Sequence, residues 1–539
     1  KVFLDVVVNH TADAISYKQG NAYVSIAKRP YRMANGKAFD PYAWAHGMRF
    51  PQLSPTRSFA KTPSVDPAFA GAKYPAVLNE VVRYHNRGDI AFGSCVGRCE
   101  TDGDFYGLDD LMTEDYRVVE ALGQAYGDWI TKYGVDGFRI DTAKHVDPYF
   151  FGRWLPMIQS AANAATKPGF TTFAEAWLTD SAQLSEFQRT RGLPSVLDFP
   201  FQETVTKFAQ GKSGGAALSL LFGDDDYYTT ATTNAYGLTT FLGNHDMGRI
   251  GFFLKTGSTA TGQALVERDQ LAHDVLYLTR GVPVVYYGDE VGMTGGGDGK
   301  DKQARQDMFP TQVLDWRTQD RVGTAPIGAG SSFDESTALE AHLRALADVR
   351  TQHPALATGA MLPRLGSGSV FAASRIDAAA RAEYVVAFNA GDSVAAVTVP
   401  TSTPSSNWSA VLGGVRGTTG ADGKLGVTIP ARSAVVLRAD SPLPTPGAPS
   451  IALKTTQDAA TGAYLLAASV PGADPSTVTF VAKRAGSADW TALGSDDSRP
   501  FRYYLPTGQG RLQIAAVVRD TAGQTTATAP LSLATRPFQ

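Results

Sequence analysis

Three carboxylates stand at the ends of short apolar runs in this 539-residue chain. The run Val135-Asp136-Gly137-Phe138-Arg139-Ile140 leads into Asp141, and Phe170-Thr171-Thr172-Phe173-Ala174 leads into Glu175. Leu238 to Leu242 leads into Asn244, His245 and Asp246. A fourth run, Val2 to Val8, ends in Asn9 and His10. Arg139 precedes Asp141 by two residues, and Lys144 and His145 follow it. One Asp at such a place commonly caps a helix. Polar groups at the ends of four such runs, with three of the eight histidines among them, describe a site instead. Paired carboxylates suit glycosyl transfer: one, protonated, serves the leaving oxygen, and the other serves the anomeric carbon.

Other chemistries have weaker support. Gly211-Lys212-Ser213 resembles the end of a phosphate-binding loop, but residue 206 is Thr where that loop needs Gly, and the run falls in or just after a helical segment. Gly295-Gly296-Gly297-Asp298-Gly299 follows a strand but opens no helix, which predicts a mobile loop. Cys95 and Cys99 are the only cysteines, too few for a disulfide framework and without the paired C-x-x-C runs of a zinc site. They could close one small disulfide loop or remain free thiols.

The elements that must carry these residues alternate. Strands are predicted at 1–8, 135–140, 170–174, 196–199, 238–242 and 282–287. Helices are predicted at 113–133 (Thr113 as N-cap), 148–165, 181–191, 201–222, 263–280 and 336–352. Six strand-then-helix units imply a parallel sheet with right-handed crossovers, open or closed into a barrel, with catalysis at the C-terminal rim if closed. Residues 11–112 are irregular and rich in Pro, Gly, Asp and aromatics. Beyond residue 355 the helical period is lost, and 370–438 alternates as an antiparallel β domain. Residues 440–449 form a Pro-rich linker, and 450–539 has the size of an immunoglobulin-like sandwich.

Composition narrows the partners. Hydrophobic residues make up 43% and charged residues 19%, enough to bury large cores. With 49 Lys+Arg against 52 Asp+Glu there is no basic excess for nucleic acid or an anionic membrane surface. No apolar run reaches the ~18 residues of a membrane span. Lys1 falls directly in a strand, so we expect the biological start, and any signal peptide, to lie upstream of it.

These residues resemble the α-amylase family of glycoside hydrolases (family 13). Its short motifs are matched in order by Asp5-Val6-Val7-Val8-Asn9-His10, Gly137 to His145, Glu175-Ala176-Trp177, and Phe241-Leu242-Gly243-Asn244-His245-Asp246. Leu108-Asp109-Asp110-Leu111 and Gly281 to Glu290 match two further family segments. The resemblance implies an α/β fold: a (β/α)8-type barrel with an inserted domain after barrel strand 3, followed by two all-β domains. Catalytic residues 1–354 would include the insertion at about 11–112, with domain C at 355–439. The first motif belongs to barrel strand 3, so the barrel is expected to lack its first two βα units.

The resemblance also implies roles. Asp141 would be the nucleophile, Glu175 the general acid/base, and Asp246 the third carboxylate, which binds sugar hydroxyls. Arg139 would hold Asp141 ionised, and His10, Asn244 and His245 would bind sugar at the cleavage point. Lys144 and His145 would serve the leaving-group side, favouring α-1,4 over α-1,6 cleavage. A Ca²⁺ would be held by Asn9, Asp110 and the backbone carbonyl of His145, oxygen donors that a hard cation prefers, with a further ligand needed from residues 80–105. The expected protein is a secreted or periplasmic monomer acting on starch or maltodextrin. A debranching enzyme, a glucan transferase and an inactive scaffold are the alternatives. Trp490, Tyr503 and Tyr504 could form a sugar-stacking face in the last domain.

Overall fold

The computed structural model describes residues 1–536 apart from 46, 48, 96, 334, 335, 446, 460, 473, 474 and 485. Residue 446 of the expected linker and residues 537–539 of the expected sandwich therefore lie outside the described residues. The chain divides into two compact units, Lys1–Trp177 with Glu186–Leu197, and Leu178–Ser185 with Asp198–Gln539.

In the first unit, β1 (Phe3–Val7), β2 (Gly137–Asp141) and β3 (Thr171–Ala174) form a parallel sheet in that order. Parallel neighbours need long crossovers. Helix Phe150–Ala164 joins β2 to β3, and the irregular segment plus helix Tyr116–Tyr133 joins β1 to β2. Val6, Val8, Phe138 and Ile140 of the sheet are buried, as are Trp154 and Ile158 of the crossover helix. Tyr126 ties the other helix down by donating its hydroxyl to the Val7 carbonyl at 2.5 Å. The register sets Asp5 opposite Arg139 and Val7 opposite Asp141. Among the described residues no strand pairs with the other edge of β1, and Val2 and Phe3 remain exposed.

Helix Tyr116–Tyr133 starts later than expected, and its cap is Asp115, not Thr113. The Asp115 carboxylate accepts from the Arg117 N–H (3.1 Å) and is anchored by Arg83 (2.7 Å), a partner that only the fold supplies. Thr113 instead accepts from the Asp147 N–H at 3.1 Å. The helix ends at Gly134, whose φ of 73° suits a glycine C-cap. The expected strand at 196–199 shrinks to isolated bridge residues at 196 and 197, with Val196 bridging Ala174.

The second unit begins its sheet with β4 (Thr239–Phe241) paired in parallel to β5 (Val282–Val284). Asp198 explains the lost strand. Its carboxylate caps helix Phe199–Ala209 by accepting from the Phe201 N–H (3.0 Å), with Pro200 in the first turn, so the chain leaves the extended state. The single helix expected at 201–222 is two, Phe199–Ala209 and Gly215–Gly223. Gly211 (φ 75°) breaks it. Gly215 then packs so closely on the β domain that a Cβ would stand 1.7 Å from the Val370 carbonyl oxygen. The phosphate-loop-like Gly211-Lys212-Ser213 is therefore the turn between two packed helices. A helix at Ile250–Gly257 was not expected, and β5 ends at Val284 rather than 287.

Residues 360–439 form a six-stranded and a two-stranded antiparallel sheet. Strand Ala382–Asn389 alternates in sequence yet is buried along its whole length. Tyr384, Val386 and Phe388 pack with Phe201, Leu271 and Leu346 of the helices. Val385 and Ala387 face Trp408, Leu425 and Val427 in a second core.

Residues 452–534 form two further antiparallel sheets around Leu466, Phe480, Phe501 and Ile514. This domain is fixed to the 223–236 segment. Tyr504 stacks on Tyr227 (4.3 Å), Arg502 pairs with Asp226 (2.7 Å), and the Tyr236 hydroxyl donates to Asp497 (2.8 Å). Tyr503 is buried, so of the three aromatics expected to face sugar only Trp490 is exposed, with Lys483 over its ring at 5.3 Å.

Candidate active site

The first unit gathers four charged side chains at adjacent strand ends. Residues two apart on a strand share a face, so Arg139 and Asp141 of β2 point the same way. The β2–β3 ladder continues past the strands through Glu175 N–H to the Ile140 carbonyl (2.8 Å) and Ala143 N–H to the Glu175 carbonyl (2.9 Å), which brings Glu175 level with Asp141. Arg139 donates Nη1 to both Asp5 carboxylate oxygens (2.8 and 2.9 Å). The same guanidinium pairs with Asp141 through Nη1 and with Glu175 through Nη2. Burial by itself would lower the Arg139 pKa; Glu175, Asp5 and Asp141 together overcome this and raise it, so the guanidinium stays charged. Thr142, directly after Asp141, sits at φ 49°, a strained conformation for a β-branched residue and one that clusters at functional sites.

Two histidines of this unit, His10 and His145, line an aromatic wall. His10 stacks on Phe105 (5.5 Å between centroids), and His145 meets the same ring edge-on at 5.0 Å. The Asn9 amide nitrogen faces His10 Nδ1 at 3.3 Å, so that nitrogen accepts and Nε2 carries the proton. His145 Nδ1 donates to the Glu100 carbonyl at 2.8 Å, leaving its Nε2 as the acceptor. Burial lowers the pKa of both rings, favouring neutral imidazoles. Lys144 pairs with the Glu100 carboxylate at 3.3 Å.

Asn244, His245 and Asp246 belong to the second unit. The Asn244 side-chain oxygen accepts from the N–H groups of Asp246 and Met247, each at 2.9 Å. That commitment makes Asn244 the former of the turn that presents Asp246. Asp246 lies 3.1 Å from His245 Nε2 through Oδ2 and 3.1 Å from Arg305 Nη2 through Oδ1.

Sequence reasoning passed over Asp5, Phe105, Asp301 and Arg305. Asp5 had a signal, a lone acid inside an apolar strand. The others come from loops whose approach no spacing rule gives.

A family profile described as the α-amylase catalytic domain matches residues 1–327, more than half of the chain. The chain belongs to the α-amylase family of glycoside hydrolases. The family's C-terminal all-β domain matches residues 366–440. An α-amylase of Streptomyces lividans is 40% identical over 538 residues, covering 97% of this chain and 58% of that protein. A beta/alpha-amylase of Paenibacillus polymyxa is 26% identical over 379 residues, 69% of this chain and 24% of its own length. The chain thus spans between about a quarter and three fifths of these relatives' length. Among solved structures, an Anoxybacillus α-amylase superposes with a TM-score of 0.57 at 21% identity, covering 83% of this chain and 76% of the other. A cyclomaltodextrin glucanotransferase with a three-domain ABC arrangement gives 0.56 at 22% identity, with 81% and 75% covered. These likenesses support a TIM-barrel-type fold with β domains.

Asn9 and Asp110, two of the expected Ca²⁺ ligands, meet in the first unit. The Leu111 N–H donates to the Asn9 carbonyl (2.9 Å), and His10 bridges Asp110. Asn9 turns its amide nitrogen to His10, which directs its oxygen the other way. Asp110 is buried and shares His85 with Glu114, at 2.5 and 3.0 Å. Among the described residues no three His, Cys, Asp or Glu side chains form a metal cluster. The expected set has one carboxylate, one amide and one backbone carbonyl, oxygen donors of the kind a hard cation takes, and these three would supply only part of its shell of about six to eight ligands. Cys95 and Cys99 are joined in a disulfide.

Proposed function

We propose that this protein is a retaining glycoside hydrolase that cleaves α-1,4-glucosidic bonds in starch-like α-glucans. The observation that carries this reading is the single buried guanidinium of Arg139 clamping Asp141 and Glu175 side by side at neighbouring strand ends. A retaining pair stands about 5–5.5 Å apart, whereas an inverting pair leaves room for a water between the carboxylates. A clamp shared by both groups supports the closer spacing.

In this mechanism the Asp141 carboxylate attacks the anomeric carbon as Glu175 protonates the leaving oxygen. Glu175 then takes a proton from the water that releases the sugar from Asp141. Asp246 serves as the third carboxylate, binding sugar hydroxyls. His10 and His245 offer hydrogen bonds to the sugar, and Lys144 and His145 serve the departing chain. Ca²⁺, held by Asn9, Asp110 and the His145 carbonyl, would brace the irregular segment against β1 and β2. The disulfide supports an oxidising, extracytoplasmic location.

The relatives' names, α-amylase, beta/alpha-amylase and cyclomaltodextrin glucanotransferase, support α-glucan chemistry and keep transfer to an acceptor sugar as the second reading. Product analysis on amylose, pullulan and maltotriose, with the anomer followed by NMR, tests the assignment. We expect α-anomeric products from amylose and none from pullulan. Glu175→Gln should be nearly inactive on starch yet partly active on substrates with activated leaving groups, which need no proton. β-Anomeric products, or full starch activity in Glu175→Gln, would refute the roles of Asp141 and Glu175.

A further inference from the structure

The glycine-rich run at 295–299 is built around the turn that carries Asp246. The Asp301 N–H donates to the Asp246 carbonyl at 3.0 Å. Gly248 closes the turn at φ 114°, and a Cβ there would stand 2.5 Å from the Gly299 carbonyl oxygen. Gly299, at φ 73°, lies so close to the Phe252 ring that a Cβ would meet three of its carbons at 2.5 Å. Loop and turn therefore touch backbone to backbone, an approach that only glycine permits.

Side chains lock this contact from both sides. Arg249, fully buried just beyond the turn, donates Nε to Gln306 (2.9 Å) and Nη1 to the Tyr287 carbonyl (2.5 Å) and Asp289 (3.1 Å). Arg305, at the far end of the loop, reaches back. Its Nε donates to the His245 carbonyl (3.1 Å), and its Nη2 lies 3.1 Å from Asp246 Oδ1 and 2.7 Å from Asp301 Oδ1. The other Asp246 oxygen faces His245 Nε2. The carboxylate is thus held at both oxygens.

We propose that Arg305 is a positioning residue for Asp246, and that residues 295–305 form the strap that carries it. The proposal rests on the reading of Asp246 as a working carboxylate. Arg305 and Asp246 have side chains 45% and 35% exposed, so the ion pair is weak in itself, and its effect lies in orientation. A planar guanidinium satisfies three acceptors at fixed angles, which the point charge of a lysine cannot do.

The test compares Arg305→Ala, Arg305→Lys, Asp246→Asn and the double variant Arg305→Ala/Asp246→Asn in the full chain. Arg305→Ala should lower kcat about 10- to 100-fold, the range for a catalytic group displaced by roughly 1 Å, with KM nearly unchanged. Arg305→Lys should recover only part of the loss. The double variant should be no worse than Asp246→Asn alone, because Arg305 acts through Asp246. A raised KM with kcat retained, or losses that add, would overturn the proposal by showing that Arg305 meets the substrate itself. A crystal structure of Arg305→Ala gives a readout independent of activity. Asp246 should leave its contact with His245; an unmoved Asp246 overturns the proposal. A wild-type protein without glucan activity refutes only the functional reading.

Discussion

Replacing Arg139 by methionine tests the clamp most directly. Arg139 is 8% exposed and faces three carboxylates, so the cluster carries a formal net charge of about −2 with the arginine and −3 without it. Removing one partner of a buried ion pair costs about 3–5 kcal/mol, because the remaining charge is left uncompensated. Asp5 is 52% exposed and water would screen it, whereas Asp141 and Glu175 are 20% and 12% exposed. The low end of that range, about 3 kcal/mol, is therefore expected. For a domain of this size that corresponds to a drop in Tm of roughly 6–12 °C. Activity should fall by at least about 10²-fold, since both proposed reacting carboxylates lose the group that orients them. Arg139→Lys should keep part of the stability, because the charge remains, but little of the activity, because one ammonium cannot span both carboxylates. Thermal unfolding and reducing-sugar release on starch measure the two effects separately. Wild-type kcat in Arg139→Lys, or an unchanged Tm in Arg139→Met, would refute the argument that one guanidinium holds the pair together.

Chelation should lower the Tm, and added Ca²⁺ at about 100 times its Kd should restore about 2.7 kcal/mol; Asp110→Asn should abolish this response, and a Tm indifferent to chelator would remove Ca²⁺ from the account. The attachment of the last β domain should weaken as pH rises. Burial, followed by the neighbouring Asp226 charge, pushes the Asp496 pKa well up, and burial, opposed by Arg502, brings Asp226 to about 6. Both folded-state values lie above the ordinary carboxylate value, so their contribution is complete below about pH 4 and is lost as pH climbs through about 6. Asp496→Asn keeps a donor toward Asp226 at every pH. The Tm of this variant relative to wild type should therefore rise between pH 4.5 and 7.5, and a constant difference would show that no proton is shared there.

The proposed catalytic pair could be picked out of the sequence because an acid that directly follows an apolar strand stands at the end of that strand in a parallel βα unit. An acid directly after an apolar run is thus placed by local pattern alone. Asp141 and Glu175 follow this rule, and the observed ladder extends through both. Element boundaries were less legible where a side chain had to choose between two structures. Asp198 could continue a strand or cap a helix, and the Phe201 N–H decided for the cap. Thr113 and Asp115 were both able to cap, and Arg83, distant in sequence, selected Asp115.

By itself the sequence determined the residue types of the chemistry, the βα alternation that carries them and the change to β structure after residue 355. Each depends on periodicity or on short fixed spacing, which the chain order preserves. Only the tertiary structure decided which cation holds which acid. Asp5 reaches Arg139 across 134 residues because β1 and β2 pair in one register. Arg305 reaches Asp246 because glycines let two loops approach more closely than any side chain allows. Contacts of this kind depend on where the chain returns in space, and local pattern carries no record of that return.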